Sequence, residues 1–218
     1  MEWYIDERTQ AAARFFPLRI HSQQPVKQYC GRTFVCESWV KYLRPHDKFL
    51  IEHDRSAPDK IIEEFQAGHY LPGLALTVSW GNMSRRNKAT YRCSLQLIHE
   101  KLQESADSIR QRKSIDHAWS LLTKDLGWSN VMASKTLHFL CRAMGFTQNP
   151  PVPIDGEVMI KRVWPSFQYQ IPRESRPETW SGNCFDAYSR YMTAILTWAD
   201  QQKWTTTQIE CTIYDQFA

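Results

Sequence analysis

A lysine in a helical segment and an aspartate just past a proline run are the residues of this chain best suited to chemistry. Lys135 sits within Ser129 to Met144, and Asp155 follows it by 20 residues in Val152-Pro153-Ile154-Asp155-Gly156-Glu157-Val158. A neutral amine is a nucleophile, and a fixed carboxylate stabilises positive charge that develops beside it. A helix N-terminus carries roughly +0.5 of an elementary charge, so it disfavours an ammonium nearby, and burial in a cleft pushes the same way. Asp155 reads as a helix cap accepting N–H bonds from the residues after it, which favours its ionised form. Either residue alone has an ordinary reading, a solvated lysine or a turn aspartate. Their spacing and context give them weight together.

The elements that must position this pair are mostly helices. Ala11 to Phe16 reads as helical, and Gly31 to Leu43 as strand or helix. Ser56-Ala57-Pro58-Asp59 looks like a helix start with Ile61, Ile62 and Phe65 on its apolar face and Gly68 near its end. From Tyr91 to Lys113, Leu95, Ile98, Leu102 and Ile109 recur at near-helical spacing. A second helix follows a cap at Ser114, Gly127 marks a turn, and a third helix runs from Ser129 until Gly145 stops it. Asn149-Pro150-Pro151-Val152-Pro153 is a stiff extended connector. Asp155 is expected to open a short helix through Arg162, Cys184 to Gln202 a long one, and Thr205-Thr206-Thr207-Gln208 a last one. The expected fold is mainly α, with a small β element before residue 60.

Two helices around a tight turn, then a lysine, a proline connector and an aspartate: this arrangement resembles the helix-hairpin-helix DNA glycosylases. The matching residues are Ser134-Lys135-Thr136 and Pro153-Ile154-Asp155-Gly156-Glu157-Val158, within Ser114 to Val158. The branch that looks most similar is the compact 8-oxoguanine glycosylase-like one; the four cysteines of the iron-sulfur branch have no counterpart here. The resemblance implies a two-lobed helical fold with the active site in the cleft between lobes. It implies one domain over residues 1–218, with the hairpin and catalytic segment at about 114–160. It makes Lys135 the nucleophile at the deoxyribose C1′, with a Schiff base and strand β-elimination to follow, and Asp155 the stabiliser of the cationic sugar. The family's hairpin usually carries Gly-x-Gly before the lysine. Here Val131 and Ala133 stand in those places, so Ser129 and Asn130 are expected to supply the polar contacts to phosphate.

Ser79 to Arg92 is the densest positive segment, with Arg85, Arg86, Lys88 and Arg92 and no acid. Such charge suits phosphate contacts, whose strength falls steeply with salt. Its Gly81-Asn82-Met83 start resembles the loop with which these glycosylases fill the gap left by a flipped base. In that reading Asn82 bonds the estranged base, Met83 is the apolar wedge, and Arg85 or Arg86 contacts the orphan base or a phosphate. The target base must leave the stack. Trp128, His138 and Trp198 are candidates for the pocket that receives it, as are Trp180, Phe185 and Tyr188.

Composition bounds the remainder. Hydrophobic residues are 42% and charged residues 23%, which excludes a wholly disordered chain. A net charge of +4 permits a nucleic-acid partner without demanding one. The six cysteines include no C-x-x-C pair, so buried thiols are expected and no metal or cofactor. The acidic first ten residues do not read as a secretory signal, and the longest apolar stretch, Leu71 to Trp80, is too short to cross a bilayer. The expectation is a cytoplasmic, nucleoid-associated monomer acting on double-stranded DNA that carries a modified base. The base is 8-oxoguanine by resemblance; a hypermodified phage base, removed in antiviral defence, is a further substrate class. The other readings are a monofunctional glycosylase without lyase activity and a non-catalytic helical DNA-binding module.

Overall fold

A computed structural model describes residues 5–15, 33–34, 53–54, 58–81, 93–112, 115–155 and 185–217. Among them are eight α-helices and one two-stranded pairing. In chain order these are α1 (Glu7–Phe15), β1 (Thr33–Phe34), β2 (His53–Asp54), α2 (Asp59–Gln66), α3 (Tyr70–Trp80) and α4 (Leu95–Arg112). Then follow α5 (Asp116–Ser120), which runs on into a π-helical turn (Leu121–Asp125), α6 (Asn130–Ala143), α7 (Phe185–Gln202) and α8 (Thr206–Phe217). The strands pair antiparallel, with Thr33 opposite Asp54 and Phe34 opposite His53. The chain is mainly α, as its periodicity indicates, with the small β element before residue 60.

Local side-chain chemistry opens several of the helices. Asp6 Oδ1 accepts from Thr9 N at 2.8 Å to open α1, and Ser94 Oγ accepts from Leu97 N at 3.2 Å to open α4. Thr205 and Gln208 form a reciprocal capping box at the start of α8. Thr205 Oγ1 accepts from Gln208 N at 3.2 Å, and Gln208 Oε1 accepts from Thr205 N at 2.8 Å. After α6 the chain turns at Gly145 with φ +89°, a left-handed conformation that costs glycine little.

Helix α6 is the centre of the molecule. Most of its residues are buried, polar ones included, and α2, α3, α4 and α5 all lie against it. A helix enclosed on every side is core rather than surface. Helix α3 is enclosed too. Leu74, Leu76, Val78 and Trp80 are buried, and Thr77 Oγ1 returns its bond to Gly73 O at 2.8 Å. Pro72 falls in its first turn, where the missing N–H has no intrahelical partner to lose. The apolar stretch Leu71 to Trp80 is thus one helix, Pro72 and Gly73 included. Its Gly73 admits the buried Phe65 ring of α2: a Cβ there would lie 2.8 Å from Phe65 Cδ1.

On the other side of the core, α7 carries α1 and α8. Thr193 Oγ1 accepts from Asp6 N at 3.3 Å, and Gln201 Nε2 donates to Arg14 O at 3.2 Å, across 187 positions of sequence in each case. Tyr188 of α7 stacks on Trp119 of α5, centroids 4.5 Å apart and planes 15° apart. Among the described residues no helix is long and apolar enough to cross a membrane.

Candidate active site at the end of a proline connector

Lys135 is the sixth residue of α6 and only 3% exposed. Its Nζ lies 3.8 Å from Asp155 Oδ2. The same Nζ donates to the Gly81 carbonyl at 3.3 Å and lies 6.0 Å from the centroid of the Trp80 indole. Trp80 is fixed in turn by Phe139, edge to face at 4.9 Å. The amine therefore reaches the carbonyl just beyond the C-terminus of α3, the negative end of that helix. The N-terminal field of its own helix fades within the first turn and does not dominate at the sixth residue. A carboxylate, a carbonyl and an indole face are all partners suited to an amine or its ammonium. In the resting structure the Lys135 amine is buried and faces the Asp155 carboxylate.

Asp155 ends a connector whose backbone is held by side chains. Thr206 Oγ1 donates to Pro150 O at 3.4 Å. His138 Nδ1 donates to Pro151 O at 2.7 Å. Val152 N donates to Met192 Sδ at 3.4 Å, and Tyr188 Oη donates to Val152 O at 2.9 Å. Tyr191 Oη donates to Pro153 O at 3.4 Å, and Ser134 Oγ accepts from Ile154 N at 2.9 Å. Three prolines in this run remove three donors, so each polar backbone group from Pro150 O to Ile154 N has a partner. No strand or helix supplies those partners through its backbone; side chains of α6, α7 and α8 do. Val152 and Ile154 are fully buried, and Asp155 emerges beside Lys135.

Burial and the positive Arg142 push the His138 imidazole down to about 3, against the pull of its bond to Pro151, so the ring is neutral. Burial also pushes the Tyr188 and Tyr191 hydroxyls well above their usual range, so both remain donors.

The other residues singled out in the sequence divide into three groups. Ser129 caps α6, its Oγ accepting from Met132 N at 3.4 Å, and Asn130 Oδ1 accepts from Val131 N at 2.9 Å. Asn130 is buried. Trp128, His138 and Trp198 are buried in the core, and the bond that His138 makes is to the connector. Asn82, Met83, Arg85, Arg86 and Lys88 lie outside the described residues, as do Trp180 and the segment after Asp155 that was read as a short helix. The hairpin closes without Gly-x-Gly: the π-helical turn ends at Asp125, Gly127 follows with φ +65°, and Trp128 N donates to Leu122 O at 3.1 Å.

Sequence reasoning gave no role of their own to Trp80, to Gly81 and Ser134 (quoted only as members of their motifs) or to Tyr191. The first two stand at the start of the basic segment, which was the signal that could have found them. Ser134 stood in the motif beside Lys135, but nothing in the sequence marked it or Tyr191 as a partner of the connector. Among the described residues no group of three or more His, Cys, Asp and Glu could hold a metal ion.

No curated protein and no solved structure matches this chain. One family model does, over residues 37–214; its description is "Putative 8-oxoguanine DNA glycosylase OGG-like protein". The matched span takes in α2 to α7, most of α8, and both Lys135 and Asp155. The chain belongs to the OGG-like family of DNA glycosylases.

Proposed function

We propose that this protein is a single-domain DNA glycosylase with lyase activity, using Lys135 as nucleophile and Asp155 as electrostatic partner. The observation that carries this reading is the buried pair itself, Nζ to Oδ2 at 3.8 Å. A surface lysine needs no such enclosure, and burying an ion pair has a desolvation cost that packing alone does not require.

The reaction begins with loss of a proton from the Lys135 ammonium. Nζ then attacks C1′ of a flipped nucleotide, and the C1′–N bond breaks with its electron pair leaving on the base, which is protonated as it departs. The ionised Asp155 stabilises the positive charge that builds on the sugar as this bond lengthens. Opening of the sugar ring gives a protonated imine between Nζ and C1′. Loss of a C2′ proton then expels the 3′ phosphate, and water releases the lysine. The family name supports an oxidised purine such as 8-oxoguanine as the base. The basic segment with Arg85, Arg86 and Lys88 supplies phosphate contacts, and Asn82 and Met83 fill the vacated stack.

Borohydride trapping tests this directly. The protein is incubated with duplexes carrying 8-oxoguanine, uracil, an abasic site or bulky modified cytosines, and the reductant is added. A covalent complex on one duplex, absent in Lys135→Ala, is the expected result. Alkali-labile sites with no crosslink would replace the lyase by a monofunctional glycosylase centred on Asp155. Specific DNA binding without base release from any duplex, bacteriophage DNA with modified bases included, would leave a binding module.

A further inference from the structure

One peptide unit before Asp155 is held from two helices at once. Its carbonyl, Pro153 O, accepts from Tyr191 Oη of α7 at 3.4 Å, and its N–H, on Ile154, donates to Ser134 Oγ of α6 at 2.9 Å. The Ser134 hydroxyl is fully committed. Its own proton goes to Val131 O at 3.1 Å, which turns a lone pair toward Ile154. Ser134 and Tyr191 are both 0% exposed. The arrangement has a register. Ser134 precedes Lys135 by one residue and Ile154 precedes Asp155 by one, so the bond joins the two chain segments one residue before each member of the 3.8 Å pair. A peptide plane gripped at both ends has little freedom to rotate, and that rotation would swing the Cα–Cβ bond of Asp155 away from Nζ.

Resting on the glycosylase reading above, we infer that Ser134 and Tyr191 are positioning residues: they clamp the Pro153–Ile154 peptide plane and thereby hold the Asp155 carboxylate against Lys135. Neither touches the reacting atoms. Their effect is on the chemical step, because a carboxylate displaced by about 1 Å loses much of its hold on a charge that exists only in the transition state. DNA affinity, which the basic segment supplies, is not their concern.

The test uses Ser134→Ala and Tyr191→Phe, each removing one hydroxyl. Thr206→Val serves as control by releasing Pro150 O further back on the same connector. Single-turnover base release and DNA dissociation constants are measured for the full chain. The expected result is a rate lowered about 10- to 100-fold in both clamp variants, with Kd within about twofold of wild type, and a rate within about threefold for Thr206→Val. Rates near wild type in the clamp variants would overturn the inference. So would an equal loss in Thr206→Val, or a rate loss matched by a loss of affinity, since each marks general loosening.

A second measurement needs no activity: the pH titration of the Lys135 side-chain ¹³Cε signal. Asp155→Asn displaces its midpoint by removing the carboxylate. Ser134→Ala and Tyr191→Phe are expected to displace it in the same direction by a fraction of that amount. This displacement in a protein that excises no base would keep the clamp and sink the glycosylase reading. A midpoint unmoved in both clamp variants would sink the clamp, whatever the activity.

Discussion

The imidazole of His138 and the carbonyl of Pro151 are joined at 2.7 Å inside the core, 13 residues apart in sequence. The carbonyl can only accept, so Nδ1 carries the hydrogen and Nε2 the lone pair. Nε2 finds no partner among the described residues. A second proton on this ring would place a cation where burial and Arg142 both oppose it, which is why its pKa falls from 6.5 to about 3.

That depression makes a stability prediction. The folded pKa lies below the unfolded one, so the unfolded chain binds the proton first as the pH drops. The contribution of the neutral ring is complete above about pH 6.5 and is lost progressively toward pH 3. Between pH 7 and pH 5 the loss from this residue is about 2 kcal/mol. Urea unfolding at the two pH values should show it. His138→Asn, whose side-chain amide can still donate to Pro151 O, should show that much less pH dependence. Equal pH dependence in the two proteins would refute the assignment.

Asp155→Asn keeps the shape of the side chain and removes its charge. Base release under single-turnover conditions should slow by at least about 10²-fold, the scale of losing one electrostatic partner of a transition state. Duplex affinity should stay within about threefold. A fall in affinity with an unchanged rate would instead make Asp155 a binding residue.

Gly73→Ala tests the packing of α2 on α3. Alanine in a helix interior ordinarily gains up to about 1 kcal/mol over glycine. Here its Cβ would meet the ring of the fully buried Phe65 at 2.8 Å. Overpacking of this kind costs about 1–3 kcal/mol, so the sign should reverse and the melting temperature should drop by several degrees. A stabilised variant would show that the ring can yield.

The basic segment should govern affinity through counterion release. Replacing Arg85, Arg86 and Lys88 together by alanine should weaken binding to all duplexes alike. The slope of log K against log salt should shrink by about 0.9 for each phosphate that these side chains no longer neutralise. Unchanged salt dependence would take these residues out of the DNA interface. A weakening confined to one base would make them readers of sequence.

Much of the helical frame could be read along the chain because its signals are local. Ser129 lies three residues before the N–H it caps, and Thr205 and Gln208 are likewise three apart. The spacing of Leu95, Ile98, Leu102 and Ile109 follows the helical period. Helix α3 escaped notice because it is enclosed on every side and has no polar face to create a period. Lys135 and Asp155 could be singled out because the motif that carries them is short and punctuated by proline.

Tertiary structure decided what surrounds that pair. The partners of the connector come from Ser134, His138, Tyr188, Tyr191, Met192 and Thr206, between 13 and 56 residues from the backbone groups they hold. A hydrogen bond between a side chain and a distant backbone group leaves no period and no composition bias, so no reading along the chain could find it. The same is true of the Gly81 carbonyl, 54 residues before the amine it accepts from. The amino-acid sequence by itself determined most of the helices, through local signals, and singled out two residues with the right chemistry. Only the packing of α6, α7 and α8 around the connector, and of α3 against α6, determined that the lysine would be buried and that the aspartate would face it.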